Sequence, residues 1–201
     1  MIQRKALTAV FASLVAGVLL AAVPDPAPGK EAPPLAGEFV HNFTLLDPPV
    51  PAPLEVFEDL TGGRVRLADF AGQVVVLNFW ATWCAPCVRE MPSLDRLQAE
   101  LGADGLAIVA VSLDRGGVGV VEPFAEQLGL KNLGLYLDTK STLAKALGIT
   151  GLPTTFLIDR DSRIVGVLQG SAEWDSPEAL ALVRHYLAER PQTDKQNAAK
   201  N

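Results

Sequence analysis

Cys84 and Cys87 are the only cysteines of the 201-residue chain, and they stand three positions apart within NFWATWCAPC, residues 78–87. A pair at this spacing can exchange disulfides, offer two thiolates to a metal, or act as a structural clip. An exchanger needs one accessible thiolate and a second thiol close enough to release the mixed disulfide. A clip closing so short a loop removes little chain entropy. Zinc wants four ligands, and the two histidines, His41 and His185, are far away in sequence. The favoured reading is a redox pair. A copper(I)-binding chaperone using the same two thiols is the alternative from another class, and a redox-inert adaptor is the third.

The flanking sequence predicts how the pair is held. Gln73 to Trp80 is a near-continuous apolar run, which suits a central strand buried on both faces. Beyond Cys84, the residues Val88, Met91, Leu94, Leu97 and Leu101 recur at helical spacing. LAIVAVSLD, from Leu106 to Asp114, reads as a second buried strand. Strand, helix and strand in that order form a right-handed βαβ unit with parallel strands. The cysteines therefore fall where the first strand passes into its helix. Cys84 is placed at or just before the helix N-terminus, where the macrodipole and free N–H groups lower a thiol pKa below its usual value of about 8.5. Cys87 lies one turn inside and is more shielded, so Cys84 attacks and Cys87 resolves. Pro86 removes a backbone donor and stiffens the loop while remaining compatible with a first helical turn.

The rest of the domain is read from similar signals. LEVFEDLTGGRVRLADF predicts two short strands around a Thr-Gly-Gly turn, then a helical turn over Leu67 to Phe70. A helix centred on Val120 to Leu128, a strand at LGLYLD and a short helix capped by Ser141 follow. LPTTFLID and RIVGVLQG form a hairpin around RDS, and SPEALALVRHYLAER is an amphipathic helix with Ser176 as cap and Pro177 at its first position.

The first residues suggest a membrane address. Arg4 and Lys5 precede eighteen uncharged residues, Ala6 to Val23. That length lies between a removable signal's apolar region of roughly 7–15 residues and a spanning helix of about 20. Pro24 follows Ala21-Ala22-Val23 with no clean A-x-A site, which favours an uncleaved signal-anchor over a cleaved signal. Either outcome leaves everything beyond residue 24 exported. Residues 1–23 are thus read as anchor, 24–53 as a Pro-rich spacer, 54–190 as the folded domain and 191–201 as a polar tail. HNFTLL, from His41 to Leu46, reads as a short strand or docking segment within the spacer. A net charge of −6 with no basic cluster argues against nucleic acid as the main partner.

NFWATWCAPC followed by VREMP, with GLPTTFLID farther on, resembles the thioredoxin-like family of TlpA, ResA and CcmG, and GSAEWDSPEALALV is most similar to its TlpA branch. The resemblance covers about residues 54–190. It implies an α/β thioredoxin-like fold, a βαβ…ββα core with an N-terminal hairpin and a central helix–strand insertion. It also implies an inner-membrane-tethered, periplasm-facing thiol–disulfide oxidoreductase with no cofactor beyond the Cys84–Cys87 disulfide and no metal. In such proteins Pro153 is cis and packs against the C-x-x-C, leaving the Leu152 backbone free to pair with an extended substrate; Thr154 follows it. Trp83 is expected in the contact surface, and Trp80 part-buried at the strand end. Asn78 departs from thioredoxins, which carry a buried aspartate there. Glu90, at the place of the functional glutamate of ResA-like proteins, is either a proton relay for Cys87 or a solvated first-turn glutamate. Trp174 is read as a packing anchor and His185 as a helix-surface residue, neither with a catalytic role. The resemblance further implies clients among copper-site or cytochrome assembly proteins, and a membrane thiol reductant of DsbD or CcdA type.

Overall fold

The computed structural model describes residues 32–189 and Pro191. The expected anchor over 1–23, the first part of the spacer and the tail from residue 192 lie outside these. Among the described residues no helix is long and apolar enough to cross a membrane.

Eight strands among the described residues form one mixed sheet. They are β1 (Phe43–Pro51), β2 (Phe57–Asp59), β3 (Arg64–Val65), β4 (Val74–Trp80), β5 (Leu106–Ser112), β6 (Gly134–Leu137), β7 (Thr154–Ile158) and β8 (Arg163–Gln169), in the order β1-β8-β7-β4-β5-β6-β2-β3. β4 pairs in parallel with β5 and antiparallel with β7, so it runs through the middle of the sheet. Every residue of β4 is buried. Its alternating side chains feed two cores: Val74, Val76 and Trp80 face one, and Val75, Leu77 and Phe79 the other. The first core is completed by α2 (Ala85–Leu101) and α5 (Pro177–Ala188), with Val121 of α3 (Val118–Leu128). The second receives Leu67 and the Leu143–Ala144 side of α4 (Thr142–Ala146). Trp80, expected to be part-buried, is fully buried because its ring enters the first core rather than ending at the surface.

The domain boundary at residue 54 is corrected. A short helix α1 (Phe39–Asn42) and β1 both lie inside the expected spacer, and β1 pairs antiparallel with β8. The strand character of HNFTLL falls on the first half of this strand, while prolines conceal its second half in the sequence, and the sheet edge is where they are tolerated. The register shifts between Leu45 and Val50, so the ladder passes over Asp47, Pro48 and Pro49. Phe39 and Phe43 supply the burial that a spacer lacks. Gly166 on β8 leaves room for the Phe43 ring, which a Cβ there would overlap.

A second correction concerns α4. Ser141 does not cap it with its side chain. Asp138 takes that role, accepting from Thr142 N at 2.7 Å and Ala144 N at 2.9 Å. Ser176 does cap α5, accepting from Ala179 N.

Candidate active site

β4 delivers the chain to the cysteine pair through a pinned loop. Asp114, just past β5, accepts from Thr82 N at 2.9 Å, Thr82 Oγ1 at 2.8 Å and Ser112 Oγ at 2.8 Å. These bonds tie the residue two before Cys84 to the neighbouring strand. Cys84 is the N-cap residue of α2, in extended conformation, and its Sγ accepts from Cys87 N at 3.3 Å. The two cysteines form a disulfide with their Cα atoms 5.3 Å apart. Cys84 retains slight exposure and Cys87 has none.

A cleft of about 530 Å³ opens beside Cys84, lined in part by Trp83, Pro86, Leu113, Ile149 and Leu152. Among the described residues, no charged side chain lines it. Trp83 is 71% exposed, the most accessible large aromatic beside the pair. The Leu152–Pro153 bond is cis. Thr154 Oγ1 turns back to Gly151 O at 2.8 Å, and Pro153 O accepts from Gly170 N, which closes this wall onto the end of β8.

Below the disulfide lies a buried carboxyl. Glu90, three residues after Cys87 on α2, is only 1% exposed, so the solvated first-turn reading does not hold. Its Oε1 accepts from Asn78 Nδ2 at 2.8 Å. Its Oε2 accepts from Ala172 N at 3.1 Å and Trp174 Nε1 at 3.3 Å. Burial pushes its pKa up from 4.5 to about 7, against the opposing pull of the Asn78, Ala172 and Trp174 donors; the Glu38 charge adds a smaller upward push. A carboxyl poised there can hold or give up a proton near neutral pH. Among the described residues no group of three or more His, Cys, Asp or Glu could hold a metal ion.

Residues 36–167 match the AhpC/TSA family. The chain belongs to that family. The thiol–disulfide oxidoreductase ResA of Geobacillus thermodenitrificans is 40% identical over 120 residues, which are 60% of this chain and 68% of that protein. A Chlorobium tepidum protein assigned as a thiol:disulfide interchange protein DsbE superposes with a TM-score of 0.64 at 32% identity, over 70% of this chain and 97% of that one. StoA from Bacillus subtilis gives 0.54 at 26% identity, over 69% and 100%. The fold is thioredoxin-like, and the chain is a thiol–disulfide oxidoreductase.

The structure thus gathers the sequence-predicted residues into two layers. Cys84, Pro86, Trp83 and Leu152 border the cleft, with Pro153 and Thr154 behind them, while Cys87 and Glu90 lie buried on α2. Sequence reasoning missed the partners of Glu90. Trp174, read only as a packing anchor, also donates to the carboxylate, and Ala172 contributes a backbone N–H. One signal was present: AEWD lies in the loop that connects the last strand to the cap of the last helix. Asp114 was read only as the end of a strand.

Proposed function

We propose that the protein is a reductant of protein disulfides, with Cys84 as nucleophile, Cys87 as resolving thiol and Glu90 as proton acceptor. The Cys84 thiolate attacks one sulfur of the client disulfide and expels the other as a thiolate, forming a mixed disulfide. Glu90 takes the Cys87 proton. The Cys87 thiolate then attacks Cys84 Sγ, closing the Cys84–Cys87 disulfide and expelling the second client sulfur. The two client thiolates are protonated, one proton coming from the Cys84 thiol on ionisation and the other from Glu90. The client gains two electrons and the pair loses two.

The direction rests on one observation: the surroundings of Cys84 that line the cleft carry no charge. Strongly oxidising proteins stabilise their reduced form, and here the thiolate has the helix N-terminus but no cationic neighbour in the cleft to do so. Trp83 and the Gly151–Thr154 segment are proposed to hold the extended client. On the resemblance to the TlpA, ResA and CcmG proteins, the domain faces the periplasm from an inner-membrane anchor. A DsbD- or CcdA-type membrane reductant regenerates it. Its clients are cysteine pairs of cytochrome oxidase copper-site assembly, favoured by the TlpA-like end, or of cytochrome c maturation.

The reduction potential of the Cys84–Cys87 pair tests this reading. A value toward thioredoxin's, about −270 mV, is expected. A value near that of DsbA, about −120 mV, would make the protein an oxidant.

A further inference from the structure

Asn78 stands in β4 at the centre of the sheet, fully buried, and its amide is used on one side only. Nδ2 donates twice, to Glu90 Oε1 at 2.8 Å and to Thr155 Oγ1 at 2.9 Å. Oδ1 is buried with no hydrogen-bond partner among the described residues. Buried polar atoms of native proteins are almost always paired, so this oxygen needs a physical reason.

The hydrogen-bonding capacity of the three side chains supplies one. As a carboxylate, Glu90 only accepts, and Asn78 Nδ2 gives it a hydrogen. When Glu90 takes up a proton, two places are open to it. Oε2 faces two donors, Ala172 N and Trp174 Nε1, neither of which can become an acceptor. The proton therefore goes to Oε1, where it meets the Nδ2 hydrogens of Asn78. Half a turn of the amide exchanges Nδ2 for Oδ1, two atoms of similar size. Oδ1 then accepts from Glu90, and the Thr155 hydroxyl, an acceptor before, rotates to donate. An aspartate at position 78 could not serve the carboxylate in this way, having no hydrogen to give when ionised.

We propose that Asn78 is a positioning residue whose amide turns over as Glu90 gains and loses its proton, keeping the carboxyl hydrogen-bonded in both states. The proposal rests on the reading of Glu90 as proton acceptor for Cys87 and deepens it. The unpartnered Oδ1 is the oxygen held in reserve for the protonated state. Each turnover moves one proton from the Cys87 thiol to Glu90 Oε1 and off again, with no further reagent. The other charged groups around Glu90 are Arg89 beside it, Glu38 ahead of α1 and Glu173 before α5, which line a small cavity with it, and Cys87 stands three positions before it on α2. Burial and the Asn78, Ala172 and Trp174 donors set how tightly the proton is held, with a smaller contribution from Glu38, and of these donors Asn78 is the one that meets Oε1.

Isotope-edited NMR of the full-length chain tests this, following Glu90 Cδ together with Asn78 Cγ and the two Nδ2 protons across the Glu90 titration, centred at about 7. As Glu90 is protonated, both Nδ2 protons are expected to lose their hydrogen-bonded low-field shift together. Asn78 Cγ should move with the same midpoint as Glu90 Cδ. Asn78 signals that stay fixed while Glu90 Cδ titrates would overturn the proposal. Asn78→Asp gives a functional readout. A second carboxyl against Oε1 should split the titration into two steps, the upper one above the wild-type midpoint. The pH dependence of mixed-disulfide resolution should move up with it, and a single unmoved step counts against direct contact. Glu90→Gln separates the two readings. If resolution is unaffected, the relay fails, while the wild-type Asn78 signals still report whether the amide turns over. If resolution slows and the Asn78 signals do not follow Glu90, the relay stands and the turning amide is lost.

Discussion

The Trp174 indole Nε1 donates to Glu90 Oε2 at 3.3 Å, joining two buried residues 84 positions apart. The Trp174 backbone N also donates to Ser93 Oγ at 3.0 Å, and Ser93 Oγ donates to Glu90 O at 2.7 Å. The loop before α5 is therefore fastened to α2 one turn beyond the cysteine pair. Trp174→Phe keeps an aromatic ring in the core and removes the N–H. Glu90 then loses a donor to its charged form, and its pKa is expected to rise beyond about 7. Stability at neutral pH should fall by about 1–3 kcal/mol. Carboxyl NMR titration and urea unfolding check the two effects, and an unshifted Glu90 midpoint would show that the indole does not reach the carboxylate.

Glu90 should also write itself into stability against pH. Its folded pKa of about 7 lies above the ordinary 4.5, so the folded chain holds this proton more tightly than the unfolded one. The resulting stabilisation is complete below about 4.5 and is lost as pH rises through about 7, a change of roughly 3 kcal/mol. Urea unfolding across that window should show the wild type losing stability relative to Glu90→Gln. Parallel curves for the two proteins would mean that Glu90 titrates normally in the fold.

The same substitution probes the reaction. Glu90→Gln keeps the length of the side chain and removes its ability to take the Cys87 proton. Single-turnover reduction of a client disulfide should show the Cys84 mixed disulfide accumulating and its resolution slowed by about 100-fold or more. Formation of the mixed disulfide should be little changed, since that step uses Cys84 alone. Equal resolution rates would remove Glu90 from the proton path.

The core of this fold was legible because its signals are local. The β4 run is apolar throughout, α2 repeats its leucines at helical spacing, and Cys84 and Cys87 sit at their junction. The burial of Glu90 was only half legible, because it depends on Ala172 and Trp174 from the far end of the chain. No spacing argument connects residues so distant. β1 was half legible for another reason: HNFTLL carries strand character over its first residues, but DPPVP looks like a linker until an edge strand with a shifted register accommodates it. The cap on α4 was misplaced because Asp138 reaches its N–H groups from outside the expected capping position.

The N-terminal segment yields the last prediction. Phe39 is fully buried, its ring edge-on to Trp174 at 5.5 Å, and Glu38 Oε1 accepts from Glu173 N at 2.9 Å. This segment lies over the loop that holds Glu90. Phe39→Ala should cost about 3–5 kcal/mol, the range for truncating a buried aromatic ring. A chain beginning at Leu54 should lose α1, β1 and the cover over Trp174 together. Water then reaches the carboxyl more easily, and because burial is the main cause of its raised pKa, the Glu90 midpoint should fall from about 7 back toward 4.5. The measurement is a carboxyl titration beside a urea curve for the two chains. If both the midpoint and the stability match those of the longer chain, residues 33–53 are a spacer after all, and α2 and the loop before α5 bury Glu90 unaided.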